Sequence, residues 1–173
     1  MSGYIIHLNG QSSTGKSTLA QAIQARSTDP ILHFTMDSFL NMIPEGQMDR
    51  FPNMLAALID CAEVHLNHGH NLVIDTVFQP GAMTKIRTRL QAFNAVAIGV
   101  EAPLAVREER EKNRGNRKIG TTASQENLHG DTQYNLRIDT SLLTPEEAAD
   151  RVLAFYQSSY PSIAPKQSGP APA

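Results

Sequence analysis

Gly10-Gln11-Ser12-Ser13-Thr14-Gly15-Lys16-Ser17 fits the pattern G-x-x-x-x-G-K-[ST]. It stands between an apolar run, Tyr4 to Leu8, and a helix-like stretch, Thr18 to Arg26. Glycines let successive backbone N–H groups turn inward around phosphate oxygens. A helix that begins at the lysine aims its positive end at the same place. Gly10, Gln11, Ser12, Ser13, Thr14, Gly15, Lys16, Ser17 and Thr18 are therefore candidates for phosphate binding. Lys16 would reach the β and γ phosphates and the Ser17 hydroxyl would ligate Mg²⁺. The same letters can fall in an ordinary strand-to-helix loop, with Lys16 a solvated lysine. The strand before the motif and the helix after it favour the phosphate reading.

Working outward, Tyr4 to Leu8 reads as a buried strand. His7 within it is then a packed or hydrogen-bonded core histidine. A helix from Lys16 to Arg26 carries Leu19, Ala20 and Ile23 at core spacing. Ile31 to Met36 is a second strand, which delivers Asp37 at its carboxyl end. In an open parallel α/β sheet, ligands sit beyond the carboxyl ends of the strands, so Asp37 and the phosphate loop open into one crevice. The competing reading makes Asp37 a cap for a short helix beginning at Ser38. Asn41 to Arg50, with Pro44 and Gly46, is a loop on the acceptor side. A helix follows from Pro52 to about Asn67, with Met54, Leu55, Leu58, Ile59, Ala62 and Leu66 on its apolar side.

Asn71 to Phe78 is a third strand, and its Leu72-Val73-Ile74-Asp75 segment ends in an acid, as a strand closing such a phosphate site should. Asp75 is accordingly the second candidate metal ligand beside Ser17. His65, His68 and His70 read as a solvated helix terminus, since no cysteine or carboxylate pair completes a metal site. Pro80 opens a helix to about Phe93, and Ala95 to Val100 is a fourth strand. The helix from Pro103 runs into the most basic stretch of the chain. There Arg107, Glu108 and Lys112 read as a charged surface with partial i,i+4 pairing. Thr121 to His129 reads as a short helix and Tyr134 to Asp139 as a fifth strand. Thr144-Pro145-Glu146-Glu147 starts a last helix with a threonine cap, a proline at N1 and a glutamate at N3.

With 173 residues the chain has the size of one domain, expected over residues 1–160, followed by a Pro-rich tail, 161–173, expected to be disordered. Fifteen Lys+Arg balance 17 Asp+Glu to a formal charge of −2. That leaves no bulk footprint for nucleic acid or an anionic membrane. The single cysteine, Cys61, cannot form an intramolecular disulfide and reads as a small buried hydrophobe. No apolar run approaches the ~18 residues of a membrane span, and no basic segment with an apolar core opens the chain. A cytoplasmic protein is expected, and the sequence leaves its oligomeric state open.

Together these segments resemble the chloramphenicol phosphotransferase family of P-loop kinases. The resemblance is carried by Leu8-Asn9-Gly10 to Ser17, Met36-Asp37-Ser38-Phe39, Val73-Ile74-Asp75-Thr76-Val77-Phe78, Arg110 to Arg117, and Tyr134-Asn135-Leu136-Arg137-Ile138-Asp139-Thr140. It implies a three-layer α/β sandwich: a five-stranded parallel sheet in the order 2-3-1-4-5, helices on both faces and a small Arg-rich lid. It also implies ATP as donor, Mg²⁺, and a hydroxyl on a small molecule such as an antibiotic as acceptor. The aspartate matching Asp37 is that family's base. Arg110, Arg114 and Arg117 lead into a Gly-rich break where small kinases place a lid of guanidinium groups over the transferring phosphate. Arg110 is counted with the nucleotide-binding residues and Arg114 and Arg117 with the catalytic ones, and planar Arg suits this work better than Lys. Two departures are visible. Asn41 to Arg50 is shorter than the segment that covers the drug in chloramphenicol-phosphorylating enzymes, which points away from chloramphenicol. Thr76 stands where the family has a second acid. A nucleoside, sugar or metabolite kinase and a toxin phosphorylating a sugar nucleotide are alternatives on the same scaffold. A nucleotide-dependent switch is an alternative of another class, although no N-K-x-D base-reading motif is present.

Overall fold

The computed structural model describes residues 2–114, 125 and 128–161. Five strands form the sheet: β1 (Tyr4–Asn9), β2 (Ile31–Thr35), β3 (Asn71–Thr76), β4 (Asn94–Glu101) and β5 (Leu136–Asp139). Among the described residues six α-helices join and follow them: α1 (Lys16–Arg26), α2 (Met36–Leu40), α3 (Met54–Asn67), α4 (Pro80–Arg89), α5 (Leu104–Arg114) and α6 (Pro145–Ser159). The strands lie in the order β2-β3-β1-β4-β5, and every pairing is parallel. This is the doubly wound arrangement expected from the sequence.

β1 is buried along its whole length because both faces of the sheet are covered. Side chains alternate across it. Tyr4, Ile6 and Leu8 pack with Leu19, Ile23, Val152 and Tyr156 under α1 and α6. Ile5 packs with Leu58, Leu66, Met83, Ile86 and Leu90 under α3 and α4. At about 25 cal/mol per Å² of apolar surface, these two layers supply the main drive to fold. They hold β1 fixed in the centre, so the loop that follows Asn9 leaves from a rigid point.

The last helix starts as its sequence predicts. Thr144 Oγ1 accepts from the Glu147 backbone N–H at 3.2 Å, and Glu147 Oε2 accepts from the Thr144 N–H at 2.9 Å. Elsewhere the structure corrects the reading in detail. Arg107 does not lie on a solvated face: it is buried, and its Nε donates to the Ala102 carbonyl at 3.0 Å. Glu111, one turn on, is buried too. Cys61 is half-buried rather than buried. The loop after α2 contains one turn of 3₁₀ helix, Met48–Arg50. The expected short helix over 121–129 falls mostly outside the described residues, as does the tail beyond Pro161.

Candidate active site

The phosphate loop leaves β1 through a gap only glycine can pass. A Cβ on Gly10 would sit 2.1 Å from the Val100 carbonyl oxygen of β4. On the other side the Gly10 N–H donates to the Thr76 carbonyl of β3 at 3.3 Å. Ser13 and Gly15 then adopt left-handed backbone, with φ of 62° and 89°, which curls the chain into an anion-binding concavity. The Ser13 hydroxyl is buried without a hydrogen-bond partner. No side chain caps α1 at Gly15, so its first N–H groups remain turned to the loop. An orphaned hydroxyl, a curled backbone and an uncapped helix start together fit a phosphate group. Lys16 is buried, and its Nζ donates to the Gln11 carbonyl at 2.9 Å, an acceptor within the loop itself.

One turn into α1, Ser17 meets β3. Its hydroxyl donates to Asp75 Oδ2 at 2.6 Å. Burial pushes the Asp75 carboxyl up, but His33, Lys16 and Ser17 together outweigh it, and the group ends below the usual carboxylate range. Asp75 is therefore ionised at neutral pH. An ionised carboxylate beside a hydroxyl at the edge of a phosphate cradle is a donor set that suits a hard cation such as Mg²⁺. Among the described residues no group of three or more His, Cys, Asp or Glu side chains gathers a metal by itself. His65 and His70 face each other at 2.9 Å between their Nδ1 atoms, in line with a helix-end cluster.

Asp37 lies in the first turn of α2, exposed, and it does not cap that helix. Thr35 is the cap: its Oγ1 accepts from the Ser38 N–H at 2.9 Å. The local structure thus gives the carboxylate no capping task. A cavity of about 180 Å³ is lined by Ser13, Lys16, Ser17, Asp37, Leu40 and Asp75, among others. It brings the second-strand acid, the third-strand acid and the loop lysine to one space.

A second cavity, of about 380 Å³, opens on the other side of the loop between Gly15, Thr18, Arg110, Asn113, Thr140 and Pro145. Arg110 is fixed there, with Nη1 donating to Thr140 Oγ1 at 2.9 Å and Nη2 to the Thr140 carbonyl at 3.0 Å. Thr140 Oγ1 donates in turn to the Thr14 carbonyl at 2.6 Å. Arg114 ends α5, whereas Arg117 lies outside the described residues.

The structure adds residues to which the sequence reading gave no role. Asn9, the last residue of β1, donates through Nδ2 to Tyr134 Oη at 2.8 Å, and His129 Nδ1 lies 2.8 Å from the same oxygen. His129 Nε2 is 3.2 Å from Gln11 Oε1, which can only accept. So the proton sits on Nε2, and the Tyr134 hydroxyl donates to Nδ1. Burial, the largest influence, lowers the His129 pKa and favours this neutral ring. Gln125 Oε1 accepts from the Ser12 N–H at 2.7 Å. The Tyr134 ring lies over β4 at Gly99, where a Cβ would come 2.9 Å from Tyr134 Cδ2. His33 is the other addition, with Nε2 lying 3.6 Å from Asp75 Oδ2. A histidine between Leu32 and Phe34 looks like any core residue of a strand until the register with β3 is known.

The model of the chloramphenicol phosphotransferase-like protein family matches residues 3–157. The chain belongs to that family. Among proteins similar to this family member is one from Mycobacterium tuberculosis named "Putative O-phosphotransferase", 25% identical over 187 residues, with 90% of this chain and 83% of that one covered. Solved structures share the fold at lower identity. The tunicamycin resistance protein of Deinococcus radiodurans superposes with a TM-score of 0.68 at 20% identity, covering 88% of this chain and 94% of that one. The APS kinase of Mycobacterium tuberculosis, solved with AMPPNP and APS, gives 0.68 at 18% identity, covering 90% and 98%. The fold is that of the P-loop kinases, and the family is one of phosphotransferases. No helix among the described residues is long and apolar enough to cross a membrane.

Proposed function

We propose that this protein transfers the γ-phosphoryl group of ATP to a hydroxyl of a small molecule, in line, with Mg²⁺ held by Ser17 and Asp75. The observation that carries the reading is the shared cavity of Lys16, Ser17, Asp75 and Asp37. A nucleotide switch needs the first three, whereas a kinase also needs a carboxylate across from them to meet the acceptor hydroxyl. Phosphoryl transfer proceeds through a loose transition state, so positioning and charge neutralisation supply most of the acceleration.

The roles follow from place. The backbone of Gly10 to Thr18 and the Ser13 hydroxyl hold phosphate oxygens. Lys16 exchanges the Gln11 carbonyl for those oxygens. The cavity at Thr18, Arg110 and Thr140 lies on the nucleoside side, and Arg110, with Arg114 and Arg117 beyond it, neutralises charge on the donor. Asp37 orients the acceptor hydroxyl and takes its proton late in transfer. Bound Mg²⁺ would neutralise charge developing between the β and γ phosphates.

The test is a mass-spectrometric screen of hydroxylated antibiotics, nucleosides and sugars incubated with the protein, ATP and Mg²⁺. A product heavier by one phosphoryl group is expected for at least one acceptor class. ATP loss that no acceptor stimulates would refute the kinase reading in favour of the switch.

A further inference from the structure

We infer that His33 positions Asp75 for the metal, as an imidazole donor to the carboxylate from the neighbouring strand; the inference rests on the phosphotransfer reading above. Thr35 of β2 stands opposite Asp75 of β3, and His33 stands opposite Val73. His33 is thus two residues from Thr35 on the same face of the sheet, and its ring reaches along the strand toward the Asp75 carboxylate. Nε2 is buried and has no hydrogen-bond partner. It lies 3.6 Å from Asp75 Oδ2, with the two side chains 16% and 7% exposed.

At that separation the contact is an ion–dipole approach and not yet a hydrogen bond. A closure of about half an ångström would complete one. A buried N–H left without an acceptor costs about 1–3 kcal/mol, so the ring gains by closing. Among the described residues, Asp75 Oδ2 accepts from the Ser17 hydroxyl at 2.6 Å. Ser17 is also the hydroxyl that must turn its oxygen to a cation, and a carboxylate that loses this donor can rotate. A second donor from a different strand, fixed by the sheet register, holds the carboxylate plane while Ser17 engages the metal. Partners of this outer kind are worth about 10- to 100-fold in metal affinity. His33 is not among the residues that line the cavity of Lys16, Asp37 and Asp75, so its part is positioning.

The experiment measures Mn²⁺ binding by electron paramagnetic resonance to the full chain in the presence of AMPPNP, for the unaltered protein, His33→Leu and His33→Gln. Melting temperature and AMPPNP affinity without metal serve as companion readouts. Leucine removes the donor and should weaken Mn²⁺ about tenfold while metal-free AMPPNP affinity stays unchanged. Glutamine keeps an N–H donor and should recover most of the loss. Mn²⁺ affinity within twofold of the unaltered protein in His33→Leu overturns the inference. So do equal losses in both variants that track melting temperature, since these mark a packing role. An unaltered protein that binds AMPPNP but gains no Mn²⁺ affinity from it overturns the metal site and His33 with it. One that binds no AMPPNP at all overturns the phosphotransfer reading itself.

Discussion

Asp37→Asn separates chemistry from structure at this site, because the two effects have different sizes. The substitution keeps the shape and removes the negative charge. The helix cap is untouched, since Thr35 Oγ1 supplies it to the Ser38 N–H at 2.9 Å. What the fold loses is the attraction of a carboxylate in the first turn to the positive helix end, about 0.3–1 kcal/mol at an exposed site. For a chain of this length that lowers the melting temperature by no more than about 4 °C. What catalysis loses is a general base, about 10²- to 10⁴-fold in turnover. At 1.36 kcal/mol per decade, the barrier rises by about 2.7 to 5.4 kcal/mol. The assay is phosphorylated product formed per unit time with ATP and the identified acceptor both saturating, alongside calorimetric melting of the same preparations. Turnover within about threefold of the unaltered protein would refute the assignment of Asp37 as base, because the expected loss is at least about 10²-fold. A stability loss well above 1 kcal/mol would show that the Asp37 carboxylate also holds structure.

Lys16→Ala should reduce turnover by at least about 10²-fold, the effect of losing one preorganised charge from a transition state, with nucleotide affinity followed by calorimetry. Gly10→Ala would press a Cβ to 2.1 Å from the Val100 carbonyl. It should destabilise the fold by about 1–3 kcal/mol in denaturant titrations and weaken nucleotide binding by distorting the loop. His7 gives a pH dependence of known sign. Burial is the main cause that lowers its pKa to about 4, with Arg87 adding and Asp75 opposing. Unfolded, it titrates near 6.5, so the unfolded state binds the extra proton in between. The neutral ring's contribution is full above about pH 6.5 and is lost as pH falls from there toward 4. Between pH 7 and pH 5 the loss is on the order of 2 kcal/mol, and urea titrations of His7→Gln should show a flatter profile. An equally steep profile in that variant would assign the slope to other groups.

Much of this site can be read from single elements, and what cannot depends on neighbours far along the chain. Lys16, Ser17 and Asp75 each end or begin an element whose period and punctuation are local, and the sheet order follows from the family those segments resemble. The sequence alone left Asp37 divided between capping and chemistry. The structure gives the cap to Thr35, because which of two nearby polar residues caps a helix depends on where the strand stops. Arg107 was misread as solvated because charge at i,i+4 spacing gives no sign of which helix face meets the body of the protein. His33 and His129 were given no role because their partners lie 42 and 118 residues away in the chain, at Asp75 and Gln11. A histidine inside a strand has no signature of its own until the register with another strand is fixed.

The packing of Tyr134 on Gly99 has a consequence for how the family can diverge. The ring fills the space above a residue with no side chain, while its hydroxyl joins Asn9 to His129 and so to Gln11 of the phosphate loop. Any larger residue at position 99 evicts the ring, and any smaller residue at 134 opens a void and takes a partner from both Asn9 and His129. The two positions are epistatic: neither can drift alone without passing through a damaged intermediate. Members that lack a glycine at the position of Gly99 should therefore also lack an aromatic hydroxyl at that of Tyr134, and should secure the start of the phosphate loop by some other bond.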